Sequence, residues 1–398
     1  MDTKTLLEWS AKYHTPNYGS RAPIVLVRGD GVRVWDSDGR EYLDFGAGIA
    51  VTSLGHCHPR VTGAIQEAAA TLLHVSNLYH SAPQIHLAKL LIEHSFAERA
   101  FFSNSGAEAN EAALKLARKY ARERIASDRV EFVATRNSFH GRTFATVAAT
   151  GQEKYHHGFE PLVPGFKHVP YNDLRAMERA IDNRTAGVII ECIQGEGGVN
   201  VADEDYLRGL RKLCDQSGAL LIVDEIQTGV ARTGKLWSYE HYGIEPDIMT
   251  LAKALANGVP IGAMLTRDEI ASVLVAGTHG STFGGTPFVT SVALATLTTI
   301  IDGKIWERAA RTGQHLMDGL RKIQAANGVI RAVRGKGLLI GAELSGLVGP
   351  VVDACREAGL LVLSAGERVL RLTPPLIVEE RECDRALAII QTAIGRVG

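Results

Sequence analysis

Leu220-Leu-Ile-Val223 is apolar at every position and runs straight into Asp224-Glu225. A strand with one wet face alternates apolar and polar residues; one that is apolar throughout is covered on both faces, as in a parallel sheet. Val188-Ile-Ile190 repeats the pattern. Strand-like runs at Glu131–Thr135, Gly187–Glu191, Ala219–Asp224, Asp247–Leu251 and Ile261–Thr266 are interleaved with helical periodicity. Ala107–Arg124 places Ala109, Ala113, Leu116 and Ala117 on one face, and Glu204–Ser217 does the same with Leu207, Leu210 and Leu213. Strand alternating with helix predicts an open α/β sheet, mostly parallel, with ligand sites at the carboxyl ends of its strands.

The two ends of the chain read differently. Val32-Arg-Val-Trp-Asp36 and Arg40-Glu-Tyr-Leu-Asp-Phe45 flank Asp38-Gly39, a hairpin signal. The tail carries helical segments at Trp306–Ala325 and Val351–Ala358 and strand segments at Leu338–Leu344, Leu360–Leu363 and Val369–Leu372. These predict a smaller α+β domain built from both chain ends. The expected division is a joining segment at 1–55, a large domain at 56–287 and a small domain at 288–398.

Composition removes several classes. Of the 398 residues 45% are hydrophobic, and the net charge is −1. That excludes disorder as the main state and gives no cationic excess for binding nucleic acid. Five scattered Cys do not make a disulfide framework and fit a reducing compartment. The opening residues have no apolar signal core, and the longest uncharged stretch, Ile270–Ile301, is broken by glycines and Pro287. A cytoplasmic protein without membrane contact is expected.

Chemistry enters at the strand ends. Asp224 closes one apolar strand and can hold a cationic ring nitrogen, a metal or a ribose, or merely cap a helix. Lys253 follows another, Asp247-Ile-Met-Thr-Leu251, where desolvation can make an amine nucleophilic, although a surface lysine would read alike. Their spacing of 29 residues allows one crossover between two strands, so both side chains would face one crevice. An acid and an amine converging there suit pyridoxal phosphate, with the lysine as Schiff-base partner and the acid on the pyridine nitrogen. Ser105-Gly106-Ala107 opens a helix and offers free backbone N–H groups to a phosphate, or is an ordinary cap. His56-Cys57-His58 lacks a second pair at zinc spacing, so no metal is expected and a structural turn closed by Pro59 is preferred.

Together these residues resemble a family. Gly55-His-Cys-His-Pro59, Asn104-Ser-Gly-Ala-Glu-Ala-Asn-Glu111, Phe139-His-Gly-Arg142, Gln194-Gly-Glu196-Gly-Gly, Asp224-Glu-Ile-Gln227, Lys253, His279-Gly-Ser-Thr-Phe-Gly-Gly285 and Arg371-Leu-Thr-Pro-Pro375 occur in this order. The set is similar to the class III, fold-type I pyridoxal-phosphate aminotransferases, closest to their acetylornithine branch, over nearly the whole chain. The resemblance implies that Lys253 carries the cofactor and then moves the proton, and that Asp224 pairs with the ring nitrogen. It also implies that Phe139 stacks on the ring, that Gln227 sits near the phenolic oxygen, and that Glu225 and Ile226 belong to the cofactor site. Ser105, Gly106 and Ala107 would hold the phosphate, with Thr282 reaching it across a homodimer interface and Ser281 beside substrate.

The same resemblance implies a ping-pong exchange: the δ-amino group of N2-acetylornithine passes to 2-oxoglutarate, as in arginine biosynthesis. Arg142 would bind the remote carboxylate and Arg371 the α-carboxylate of the oxoacid, with Glu196 pairing Arg371 while the amine donor is bound. Tyr18 would contact substrate. Succinylornithine, succinyldiaminopimelate, ornithine and 4-aminobutyrate stay open as donors, as does an aminomutase on the same scaffold. Several positions depart from the family pattern: Cys192 stands where proline is usual, Ala107 where threonine is frequent, and Ala256-Asn257 where two glycines are common.

Overall fold

The structure, a computed structural model, describes residues 2–19 and 21–397. Its centre is a seven-stranded sheet in the order Arg99–Ser103, Gly262–Thr266, Ile248–Leu251, Leu220–Asp224, Thr185–Ile190, Glu131–Thr135, Phe166–Val169. Only Gly262–Thr266 runs against its neighbours. Every residue of Thr185–Ile190 and of Leu220–Asp224 is buried, as continuous apolar runs require.

Side-chain alternation divides the core into two layers. Leu220 and Ile222 pack with Ala113 and Leu116 of the Gly106–Tyr120 helix on one face. Leu221 and Val223 pack with Leu207 and Leu210 of the Glu204–Ser217 helix on the other. Asp224 shares the parity of Leu220 and Ile222, so it emerges on the side of the Gly106–Tyr120 helix.

Expected and observed elements agree closely inside the sheet. Glu131–Thr135 and Glu204–Ser217 have the expected bounds. The helix expected over Ala107–Arg124 starts at Gly106 and widens into a π turn at Ala121–Ile125. Arg99–Ser103 and Phe166–Val169 join the sheet in addition to the strands expected from sequence. Both are edge strands, only partly buried, and edges carry polar residues because only one side needs cover.

The two chain ends meet. The hairpin of Arg33–Asp36 with Glu41–Asp44 is extended by Leu360–Leu361 from the tail, parallel to Glu41–Asp44. A second antiparallel sheet, in the order Ile330–Lys336, Leu339–Leu344, Val369–Leu372, Leu363–Ala365, packs with the helices Ile305–Asn327 and Glu380–Val397. The uncharged stretch becomes a loop followed by the 16-residue helix Pro287–Asp302. No single helix among the described residues is long and apolar enough to cross a membrane. Pro59 does not close a turn as expected; it occupies the first turn of the Pro59–Thr71 helix, where its missing N–H costs nothing. His56 Nε2 lies 2.8 Å from Asp44 Oδ2.

Candidate active site

A cavity of about 380 Å³ opens at the carboxyl ends of the central strands. Parallel pairing aligns Asp224 with Thr250, and Lys253 follows three residues later. Asp224, Ile226, Gln227 and Lys253 line the cavity, and so do Ser105, Gly106, Ala107, Phe139 and Arg142. Gly106 has to be glycine, because a Cβ there would lie 2.8 Å from Ile226 Cδ1. Ser105 caps the Gly106–Tyr120 helix, its hydroxyl accepting from the Glu108 N–H at 3.2 Å. The helix N-terminus therefore opens into the cavity beside Gly106 and Ala107, a ready site for an anion.

Asp224 is held on three sides. Its Oδ2 accepts from Asn110 Nδ2 at 2.8 Å and lies 2.8 Å from His140 Nδ1, while Oδ1 accepts from the Ile226 N–H at 3.0 Å. Asn110 is fixed in turn: its Oδ1 accepts from Thr250 at 2.7 Å and its Nδ2 also donates to the His140 carbonyl. The carboxylate oxygen only accepts, so His140 Nδ1 carries the proton between them, and its Nε2 is buried without a partner among the described residues. Three donors fix the orientation of this one carboxylate.

Lys253 engages no acceptor among the described residues. Burial pushes its amine below the usual lysine range, while the nearby Glu196, Asp224 and Glu191 carboxylates oppose that and Arg371 reinforces it. Arg142 also reaches the cavity without an acid partner among the described residues. Its guanidinium lies 3.9 Å from the Tyr155 ring centroid and 5.5 Å from that of Phe139. Stacking holds it in place and leaves its in-plane N–H donors free for a carboxylate.

Arg371 enters from the small layer, on a strand paired at Gly341 and Leu363. It donates to Glu196 at 2.6 Å, and to Gln227 and the Gly195 carbonyl at 3.1 Å each. Burial acts to raise the Glu196 carboxyl, but the Arg371 charge and hydrogen bond outweigh it and hold the group below the ordinary glutamate range. Gly195 must be glycine for this arrangement, since a Cβ would lie 2.4 Å from Gln227 Oε1.

A single chain does not bring every expected residue here. Glu225 turns to the opposite face, where its carboxylate accepts from Thr228, Ser238 and the Tyr239 N–H. Tyr18 is 59% exposed on the N-terminal segment, with the Arg21 guanidinium 4.1 Å from its ring. Thr282 is exposed on a loop that Asn77 and Gln84 pin to the surface. Ser281 stays at the margin, accepting from Asn104 at 3.0 Å.

Three polar residues at the site were not singled out from sequence. Asn110 and His140 lay inside motifs already recognised, and Asn110 could have been found from its place on the helix face that meets Asp224. Glu191 lines the cavity and accepts from the Phe139 N–H at 3.0 Å and the Gly195 N–H at 3.3 Å. Burial and the Asp224 charge push its carboxyl well above the usual range.

The family model described as Aminotransferase class-III matches residues 15–394. The chain belongs to the class-III aminotransferases. It is 48% identical over 393 residues to an acetylornithine aminotransferase of Caldanaerobacter subterraneus, covering 98% of this chain and 100% of that one. It is 46% identical to a succinylornithine transaminase/acetylornithine aminotransferase of Pseudomonas aeruginosa, covering 97% and 96%. Among solved structures, the ornithine aminotransferase of Toxoplasma gondii superposes with a TM-score of 0.96 at 37% identity, covering 100% of this chain and 96% of that one. These class-III relatives span the whole chain, so the aminotransferase fold includes the small layer that carries Arg371.

Proposed function

We propose that this aminotransferase moves the δ-amino group of N2-acetylornithine to 2-oxoglutarate, giving N-acetylglutamate 5-semialdehyde and glutamate, the exchange used in making arginine. The observation that carries the reading is the cavity with the Lys253 amine and the braced Asp224 carboxylate on its walls. The residues fit pyridoxal phosphate. The helix start at Gly106–Ala107 suits its phosphate, Asp224 its ring nitrogen, Phe139 its ring face and the unpartnered Lys253 its aldehyde. When bound, that cofactor supplies an electron sink for the carbon that exchanges its amine.

The chain's own groups do the rest. Asp224, aimed into the cavity by Asn110 and His140, would lie against the ring nitrogen and favour its protonated form. Lys253, with its amine's basicity lowered, can take the proton from the donor's reacting carbon and hold it for return. Arg142 binds the carboxylate farthest from that carbon, in the amine donor and in the oxoacid alike. Arg371 stays neutralised by Glu196 while the donor's uncharged chain lies beside it. When 2-oxoglutarate enters, its second carboxylate takes the place of Glu196 on Arg371.

Thr282 and Tyr18 suit a homodimer in which each completes the partner's site. Leu78 is 82%, Tyr79 71% and Phe283 63% exposed near Thr282, an apolar surface that a second copy would cover. A second reading widens the donor range to succinylornithine, as the double name of the Pseudomonas aeruginosa relative suggests. Ratios of kcat/KM across acetylornithine, succinylornithine, ornithine and 4-aminobutyrate test both readings. Acetylornithine is expected to lead; an ornithine or 4-aminobutyrate preference would overturn the assignment while leaving the chemistry.

A further inference from the structure

Lys253 stands in a backbone conformation that side chains disfavour. Its φ is +40°, in the left-handed region, which is unfavourable for a non-glycine residue. Such a residue persists only where its surroundings over-determine it.

The turn after it is closed by its own backbone. The Leu255 N–H donates to the Ala252 carbonyl at 2.9 Å, that of Asn257 to Ala254 at 3.3 Å, and that of Val259 to Ala256 at 3.1 Å. These bonds give the turn its shape. Ala254, Leu255 and Ala256 are buried, and the turn packs on the Pro287–Asp302 helix. Apolar contact holds it down, but it is non-directional.

The directional tie is Asn257. Its side chain is buried and its φ is +47°, which asparagine tolerates better than most residues. Its Oδ1 accepts from the Leu54 N–H at 2.7 Å, and its Nδ2 donates to the Gly55 carbonyl at 3.0 Å. One carboxamide thus satisfies two buried backbone groups of a segment about two hundred residues away in the chain.

That segment is itself anchored to both chain ends. The Ser53 carbonyl accepts from the Leu376 N–H at 2.7 Å, and the backbones of His56 and Gly31 exchange hydrogen bonds at 2.8 and 2.9 Å. Val51, just before it, and Gly258–Ile261, just after Asn257, are both part of the cavity wall.

We propose that Asn257 is a positioning residue: its carboxamide fastens the Lys253 turn to Leu54–Gly55 and so fixes where the lysine amine stands in the cavity. The inference rests on the role proposed above for Lys253. Glycine at this position would meet the positive φ but could not make the tie.

The test compares wild type, Asn257→Gly and Asn257→Asp, each loaded with pyridoxal phosphate. Asn257→Gly keeps the backbone freedom and loses both bonds. Asn257→Asp is isosteric, keeps the acceptor for Leu54 and faces the Gly55 carbonyl with an oxygen. The readouts are the pH midpoint of the bound cofactor's visible absorbance, kcat and KM for the donor, Tm, and amide exchange across 252–259 in the cofactor-free protein.

Both variants are expected to move the midpoint by about half a pH unit or more. They should also lower kcat about tenfold, leave the donor KM within about twofold, and speed exchange at 252–259. Folded variants with wild-type midpoint and kcat would overturn the inference, even with a lower Tm, because a purely structural tie would move Tm alone. Should Asn257→Gly fail to fold, Asn257→Asp decides on the same criteria. A wild type that forms no visible band would instead overturn the role of Lys253, and the inference with it.

Discussion

Arg371 and Glu196 sit 2.6 Å apart, on the small and large layers respectively, and form an ion pair at the cavity's edge. Arg371 is buried, and its Nη1 also reaches Gln227 and the Gly195 carbonyl. When the pair opens, Nη1 keeps two neutral acceptors while the charge is left for an incoming carboxylate to take up. Glu196→Gln keeps the shape and removes the charge. The half-reaction with acetylornithine is expected to slow about tenfold, while that with glutamate is unchanged or faster. Single-turnover absorbance with each substrate measures the two separately. Equal slowing of both half-reactions would contradict the gate.

Tyr155 supports Arg142 from behind through the guanidinium–ring stack. Replacing it with leucine removes a contact worth about 1–2 kcal/mol when partly desolvated. Steady-state kinetics should give KM values about 5- to 30-fold higher for acetylornithine and for 2-oxoglutarate, with kcat nearly unchanged. Tyr155→Phe keeps the ring and is expected to behave as wild type. A rise for one substrate alone would mean that Arg142 does not serve both.

His140→Phe removes one of the three donors on Asp224. A hydrogen bond to a charged group contributes about 1.5–3 kcal/mol, so kcat should fall about 10- to 100-fold. KM for the donor should hold, because the role proposed for binding its carboxylate belongs to Arg142. A variant with unaltered kcat would show that Asn110 and the Ile226 N–H suffice.

Glu225 gives a pH signature in stability. Burial pushes its carboxyl up from 4.5 to about 7, against the pull of its hydrogen bonds to Thr228, Ser238 and Tyr239. Between those values the unfolded chain has released the proton that the folded chain retains. The folded state therefore loses stability as pH rises through this window, by about 3 kcal/mol in all, and this group adds nothing further above it. Glutamine fits the same partners, its oxygen toward Ser238 and Tyr239 and its amide toward a rotated Thr228 hydroxyl. Chemical denaturation at pH 5 and pH 8 should show Glu225→Gln gaining on wild type at the higher pH. Parallel pH profiles would contradict this.

The residues legible in the sequence were those announced by a change of pattern. Leu220–Val223 and Ile248–Leu251 are apolar strands, and Asp224 and Lys253 stand out where they end. The glycine motifs were legible because close approach leaves no choice, as at Gly106 against Ile226. The resemblance put Glu225 with Asp224 in the cofactor site, whereas period-two alternation sends the two side chains to opposite faces. Thr282 could not be placed by any reading of one chain, since its expected role needs a second copy, and Tyr18, expected beside substrate, is exposed on the N-terminal segment and does not line the cavity. Asn257 was visible only as a departure from pattern; its partners at Leu54–Gly55 are joined to it by tertiary folding alone. The boundary expected at 287/288 falls at the start of the Pro287–Asp302 helix, which packs on Pro59–Thr71 and Ala82–Glu93 of the large layer, and nothing in that uncharged stretch marked a break.

The central claim is that Lys253 is the amine that carries pyridoxal phosphate and that acetylornithine is the donor which discharges it. The direct measurement is the visible absorbance of wild type and of Lys253→Ala, each supplied with pyridoxal phosphate, before and after acetylornithine is added without oxoacid. The expected result is a lysine-dependent band in wild type that converts to the aminated cofactor's band, faster with acetylornithine than with ornithine, and no such band in the variant. A wild type without the band, or one whose band acetylornithine leaves untouched, would contradict the account.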